Sequence, residues 1–273
     1  MHVNDIWMLE LKKQEQQIGR RNDGEVLQAE WFDLAEDTQD EIWAWLHKEY
    51  LPALCAADGV AWIGHYEIIE QPDQPYIDGA PNKKTIDDPG VPTGWRNVIL
   101  TAAASPEVYF GPGNPIDAME NAYKGKLSAR LNYRNAVFIE EQVINSPEQR
   151  ALPYGMGPPP AMQLGNYNCD TPEDEIELAK WYRAERFPRV SVTKGMIRGR
   201  KLLSISGWPK HGVLWEVTDL PPEDFNVEAR FLDADRDDEW NGRHVLEYVT
   251  HTFQGPHCGR RVWPEVKIVD AKS

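Results

Sequence analysis

The spacing Trp-x3-Glu-x2-Pro-x6-Gly occurs twice in this chain, first as Trp45, Glu49, Pro52 and Gly59, then as Trp181, Glu185, Pro188 and Gly195. A pattern used twice means a structural unit used twice, and that constrains the fold more than any local propensity. The flanks agree. Asp-Thr precedes each copy, as Asp37-Thr38 and Asp170-Thr171. Thr38 with Glu41 three residues on has the form of a capping box, and Thr171 with Pro172 and Asp174 opens a helix by a related route. Each helix is expected to stop near its proline, whose ring clashes with the preceding turn. Each glycine leads into a strand-like run, Val60–Ile69 and Met196–Ser206.

Periodicity extends the repeat. In the first half, Glu25–Phe32 alternates as a strand, with Leu27, Ala29 and Trp31 on one face. The helix Thr38–Tyr50, the strands Val60–Ile69 and Trp95–Ala103, a helix over Ile116–Leu131 and the strand Ala136–Ile144 follow. In the second half, strand Ala161–Cys169 and helix Pro172–Phe187 precede Met196–Ser206, a hairpin turn and strand Gly212–Thr218. Helical pieces at Pro221–Leu232 and Asp238–Thr250 lead to a last strand, Gly259–Val269. Both halves read βαββαβ, the ferredoxin-like unit. Residues 1–24 form an N-terminal extension, in which 4–18 reads as a helix or 6–11 as a strand. The first repeat spans 25–150, a stiff Pro/Gly linker 151–160, and the second repeat 161–273. The insertion Glu70–Gly94 is a lid or a plain surface loop. Each unit makes one antiparallel sheet with helices on one face, and its bare face also carries apolar residues. Two units on one chain cover each other sheet on sheet, which predicts a single pseudo-twofold α+β body.

Composition removes several function classes. The net charge is −15, with no basic footprint for nucleic acid. No run of about 18 apolar residues exists, so no membrane partner is expected. The N-terminus lacks the basic start and apolar run of a secretory signal. Cys55, Cys169 and Cys258 are an odd set with no CxxC pair, which argues against a disulfide framework or structural zinc and fits a reducing cytoplasm. Eleven tryptophans exceed what the cores need and suggest a pocket with flat apolar walls for an aromatic small molecule. The twofold plan leaves room for a homodimer.

The helix end Trp-x3-Glu-x2-Pro followed by glycine and a strand, seen twice, resembles the EthD-like and related families of the dimeric α+β barrel superfamily. The resemblance covers about residues 25–145 and 161–269. It implies two tandem ferredoxin-like repeats forming an intrachain dimeric α+β barrel. Proteins of that superfamily include cofactor-independent monooxygenases, polyketide cyclases, decarboxylases, lactone isomerases and lyases, while others bind haem or have no known chemistry. EthD-like sequences commonly carry His directly after the helix Glu. Here those positions are Tyr50 and Arg186, so acid–base work is expected from other groups.

Candidate chemistry gathers at a few places. His65 lies mid-strand and faces either the core or the helix layer, a reasonable proton carrier. His244, Tyr248 and His251 share one face if their stretch is helical. Glycines and a proline bracket His257-Cys258 before the last strand. His47 reads as a surface or packing residue and His211 as a solvent-exposed turn residue. Arg198 and Arg200 share a strand face opposite the counterparts Trp62 and Gly64, and either hold a carboxylate, phenolate or enolate or face water on an edge. Tyr133 and Tyr167 are placed to hydrogen-bond a bound ring, with Trp62 and Trp181 burying it. No metal-ligand spacing, HExxH, Walker, GxGxxG or GxSxG motif occurs, so no metal or cofactor is expected. The reading is a cofactor-independent lyase, isomerase or decarboxylase type of enzyme. In it His65, His251 or His257 moves a proton, Tyr167 assists, and an arginine holds the oxyanion. The alternatives are a haem-binding or oxygen-using protein and a non-catalytic binding protein.

Overall fold

The strands Asn97–Ala103 and His211–Val217 are buried on both faces, because one face meets the interior between the two sheets and the other meets the helix layer of its own half. The computed structural model describes residues 26–69, 84–146, 157–218 and 249–266. The expected N-terminal helix, the first part of the insertion, most of the linker, the helical readings between 219 and 248 and the chain beyond 266 lie outside the described residues.

The first repeat runs β1 (Val26–Asp33), α1 (Gln39–Trp45), a π-helical turn (Leu46–Tyr50), α2 (Leu51–Cys55), β2 (Val60–Ile69), the short β3 (Lys84–Thr85), β4 (Asn97–Ala103), α3 (Glu107–Phe110), α4 (Pro115–Leu127) and β5 (Leu131–Asn145). The second runs β6 (Ala161–Cys169), α5 (Pro172–Trp181), a second π-helical turn (Tyr182–Arg186), α6 (Phe187–Ser191), β7 (Met196–Gly207), β8 (His211–Val217), β9 (Val249–His251) and β10 (His257–Trp263).

The ten strands form one sheet, and eight of them close on themselves in the order β2-β4-β1-β5-β7-β8-β6-β10, with β10 returning to β2 and every pairing in the ring antiparallel. The remaining two, β9 and β3, hang on β6, whose edge is shared. Ala161–Leu164 pairs with β10, Tyr167–Cys169 with β9. Each half keeps the strand order second, third, first, fourth. The two seams, β5 on β7 and β10 on β2, join equivalent strands, which is the pseudo-twofold the repeat predicts. Closure leaves no open edge on the ring. One interior cluster joins Leu27, Trp31, Leu100 and Phe138 of the first repeat to Met162, Leu164, Leu202 and Leu214 of the second. Burial of each such side chain stabilises the closed form by about 1.5–3 kcal/mol.

The helices continue past their prolines. Pro52 and Pro188 lie inside α2 and α6, each just after a π-helical turn. The wider turn relieves the clash of the proline ring with the preceding carbonyl, so the helix runs on to Cys55 or Ser191. Trp45 and Trp181 enter these turns at equivalent positions, buried against their own sheets. Glu49 is exposed and Glu185 accepts from Arg189 at 3.1 Å, so the repeated Glu belongs to the helix surface. Gly59 and Gly195 have φ of +83° and +82°, a conformation that favours glycine, and this explains the last residue of the repeat. The helix starts differ. Thr171 makes the full capping box with Asp174. Thr38 makes none, because its own backbone is already near-helical (φ −117°, ψ −6°) and its hydroxyl donates to Ala35 O.

Candidate active site

Strand β1 turns Leu27, Ala29 and Trp31 into the barrel, so Gln28 and Glu30 face the helices of the first repeat. A carboxylate there is under the helix layer. Glu30 is 2% exposed. Arg130, just past the C-terminus of α4, puts Nη1 2.6 Å from Glu30 Oε1, and the Tyr133 hydroxyl on the adjacent β5 donates to the same oxygen at 2.8 Å. Asn135 Nδ2 donates to the Tyr133 oxygen at 3.1 Å, and the Arg130 guanidinium lies 4.0 Å from the Tyr133 ring centroid. Both bonds fall on Oε1, and no described residue donates to Oε2. Glu120 projects from α4 towards the same place. Burial, and next the Glu30 charge, push its carboxyl above the usual range, with Arg130 opposing. A carboxyl biased towards its neutral form beside a second, ion-paired carboxylate is an arrangement that acid–base chemistry uses.

Aromatic side chains wall this layer. Tyr50 stacks on Trp45 at 5.5 Å and meets Tyr123 edge-on at 5.7 Å. Its hydroxyl is pushed up by burial and then by Glu30. Tyr50, the residue after the repeated Glu49, therefore lies beside the carboxylate cluster. Trp45 Nε1 and Thr101 Oγ1, both buried, have no partner among the described residues. The outward positions of β6 hold Ala161, Gln163, Gly165 and Tyr167, so the second repeat has no counterpart of Glu30 on this strand.

The candidates expected from sequence are distributed over five places. Tyr133 is in the Glu30 cluster. His65 faces the helix layer of the first repeat, where Nδ1 lies 2.8 Å from His47 Nε2 and Nε2 lies 3.1 Å from Asn97 Oδ1. The Asn97 oxygen also accepts from Trp43 Nε1 at 2.9 Å, so His65 donates through Nε2 and accepts from His47 at Nδ1. Burial, followed by His47, pulls the His65 pKa down to about 3. His47 is therefore half-buried and tied into a network.

In the helix layer of the second repeat sit Tyr167, Trp181, His211 and His251. Tyr167 stacks on His211 at 5.8 Å and meets His251 edge-on at 5.9 Å. His211 is buried between Lys201 and Glu175, not solvent-exposed, because β8 begins at it and pairs with β6 and β7. His251 lies on strand β9, paired with β6 and β3, so no helix carries it; His244 and Tyr248 lie outside the described residues.

Arg198, Arg200 and Trp62 face into the barrel at one end. Arg198 bonds both oxygens of Glu216 at 3.0 Å, and Arg200 lies 2.8 Å from Glu216 and 2.8 Å from Glu140. They are central-strand residues with their charge met inside the protein, not an edge pair facing water. His257 faces inward near the other end. It accepts at Nδ1 from Trp31 Nε1 and Asn166 Nδ2, and donates from Nε2 to Phe253 O. Sequence reasoning missed Glu30, Arg130 and Glu120. The available signal was alternation, since Glu30 sits between two apolar strand positions that face the other way.

Among the described residues no group of His, Cys, Asp and Glu forms a metal cluster, and no helix is long and apolar enough to cross a membrane. No family model matches the sequence, and no curated protein matches it. Solved structures do match. A chlorite dismutase-like protein is 12% identical over 88% of this chain and 95% of its own, with a TM-score of 0.52. A monooxygenase-like protein from Lactobacillus acidophilus NCFM is 10% identical over 86% and 93%, with a TM-score of 0.49. A dye-decolorizing protein from V. cholerae is 10% identical over 88% and 94%, with a TM-score of 0.49. The chain has the fold of the dimeric α+β barrel proteins, with both halves of the barrel supplied by one polypeptide.

Proposed function

We propose that this protein is an enzyme that moves a proton on a small aromatic or polyketide-like compound without a cofactor, with the Glu30 carboxylate as base. One observation carries this reading. Glu30 is buried, its Oε1 is pinned by Arg130 and Tyr133, and its Oε2 receives no bond from any described residue. The pinned oxygen fixes the carboxylate plane, and the other oxygen is the atom that accepts the proton. Glu120, biased towards its protonated form, returns a proton to the product. Tyr50, Trp45 and Tyr123 give flat apolar surface for a ring, and Trp45 Nε1, a donor without a partner among the described residues, suits a substrate oxygen.

Hydrogen exchange tests this without knowledge of the natural substrate. The protein is incubated in D2O with a panel of enolisable aromatic ketones and lactones, and deuterium at the acidic carbon is followed by NMR. Wild type is expected to label at least one compound and Glu30→Gln none. Equal labelling by the two proteins, or no labelling of any compound, overturns the proposal and favours a non-catalytic binding protein.

The haem-binding reading has to be judged on this chain's own donors. His65 and His257 have both ring nitrogens hydrogen-bonded, and those of His211 face Lys201 and Glu175. These three do not fit haem as axial ligands. A Soret band from the purified protein would reverse that judgement.

A further inference from the structure

Arg134 is an inward-facing guanidinium that no carboxylate answers among the described residues. It lies on β5 opposite Trp31 of β1, is 6% exposed, and rests 3.9 Å over the Trp31 ring. Nη2 donates to Asn166 Oδ1 at 3.3 Å, and Nη1 has no partner among the described residues. The contrast with the other end of the barrel is direct, since Arg198 and Arg200 are met there by Glu216 and Glu140. Burying an unpaired charge costs several kcal/mol, on the order of what a whole domain has to spare. The cost shows in the group itself, because burial alone pulls the Arg134 pKa down to about 9.

Everything around Arg134 is already satisfied. Asn166 Oδ1 also accepts from the Thr252 hydroxyl, and Asn166 Nδ2 donates to Leu164 O and His257 Nδ1, both at 3.0 Å. His257 also accepts from Trp31 at 3.2 Å and donates to Phe253 O at 3.1 Å. The site therefore offers one positive charge, one open donor and an aromatic platform, with Trp95 in the same interior cluster. That set matches a single negative charge on a planar, partly apolar molecule. A phosphate dianion would lack a second cation.

We propose that this end of the barrel binds the carboxylate of a small organic acid, anchored by Arg134 Nη1, on the opposite face of β1 and β5 from Glu30. The site is separate from the proton-transfer site and does not depend on it. Benzoate is the probe, with binding followed by calorimetry on the whole protein. Wild type is expected to bind benzoate saturably, Arg134→Met to lose at least about tenfold in affinity, and Arg134→Lys to retain part of it, with charge but no planar fork. Arg134→Met should fold as well as wild type or better, since it removes an unpaired buried charge. If it does not fold, Arg134→Lys carries the comparison. Glu30→Gln should bind benzoate as wild type does. The proposal is overturned if wild type does not bind benzoate, if Arg134→Met or a folded Arg134→Lys binds it unchanged, if a folded Glu30→Gln loses it, or if phosphate binds more tightly.

Discussion

Arg130 Nη1 lies 2.6 Å from Glu30 Oε1, with the two side chains 8% and 2% exposed. Neither charge has water to fall back on. Glu30→Gln keeps the shape but leaves Arg130 without its counter-charge, and is expected to cost roughly 3–5 kcal/mol. Arg130→Met should cost a similar amount, and the double variant less than the sum of the two. Urea unfolding reads all three. A loss under about 1 kcal/mol for both single variants would show that the pair is solvated.

Acid should weaken the first repeat through His65. Its folded pKa is about 3, lowered by burial and then by His47, while an unfolded histidine titrates near about 6.5. The unfolded chain therefore binds the extra proton between those values. Stability is fully present above about pH 6.5 and falls as pH drops towards 3, by up to roughly 1.4 kcal/mol per unit for this one group. His47, also lowered by burial, adds to the same slope. Unfolding free energy measured between pH 7 and 4 should drop less steeply in His65→Leu. Parallel curves for the two proteins would refute the assignment.

The two repeat glycines should not be equally sensitive. Alanine at either position meets a left-handed backbone that costs about 1–2 kcal/mol. At Gly59 a Cβ would also stand 2.6 Å from Val108 Cγ2, whereas at Gly195 its nearest neighbour is Thr218 Oγ1 at 3.2 Å. Gly59→Ala is expected to lower the melting temperature more than Gly195→Ala, and the reverse order would contradict this packing.

Helix capping gives a second asymmetric pair. Thr171→Ala removes a complete capping box and should cost about 1 kcal/mol. Thr38→Ala removes a single side-chain bond at 3.3 Å on an exposed turn and should cost a few tenths of a kcal/mol. Chemical denaturation of the two variants separates these values, and equal losses would mean that Thr38 caps α1 in solution.

The sequence by itself determined the building plan. Trp45, Pro52 and Gly59, repeated as Trp181, Pro188 and Gly195, are local requirements of one helix, its π-helical turn and the left-handed residue after it, so they can be read from neighbours in the chain. The alternation of Leu27, Ala29 and Trp31 likewise marks an apolar strand face, and two bare sheets on one chain have to cover each other. Tertiary structure decided the rest. Glu30 is a polar position in the alternation of β1, and it is buried because helices of its own repeat lie across it. Its partners Arg130 and Tyr133 are 100 and 103 residues away, a distance that periodicity does not span. His251 became a strand residue because β6 and β3 offered its backbone partners, which outweighed the helical spacing. The fate of each charge was settled in the same way: Arg198 and Arg200 met carboxylates inside the barrel and Arg134 did not, because only closure of the ring fixes which side chains share its interior.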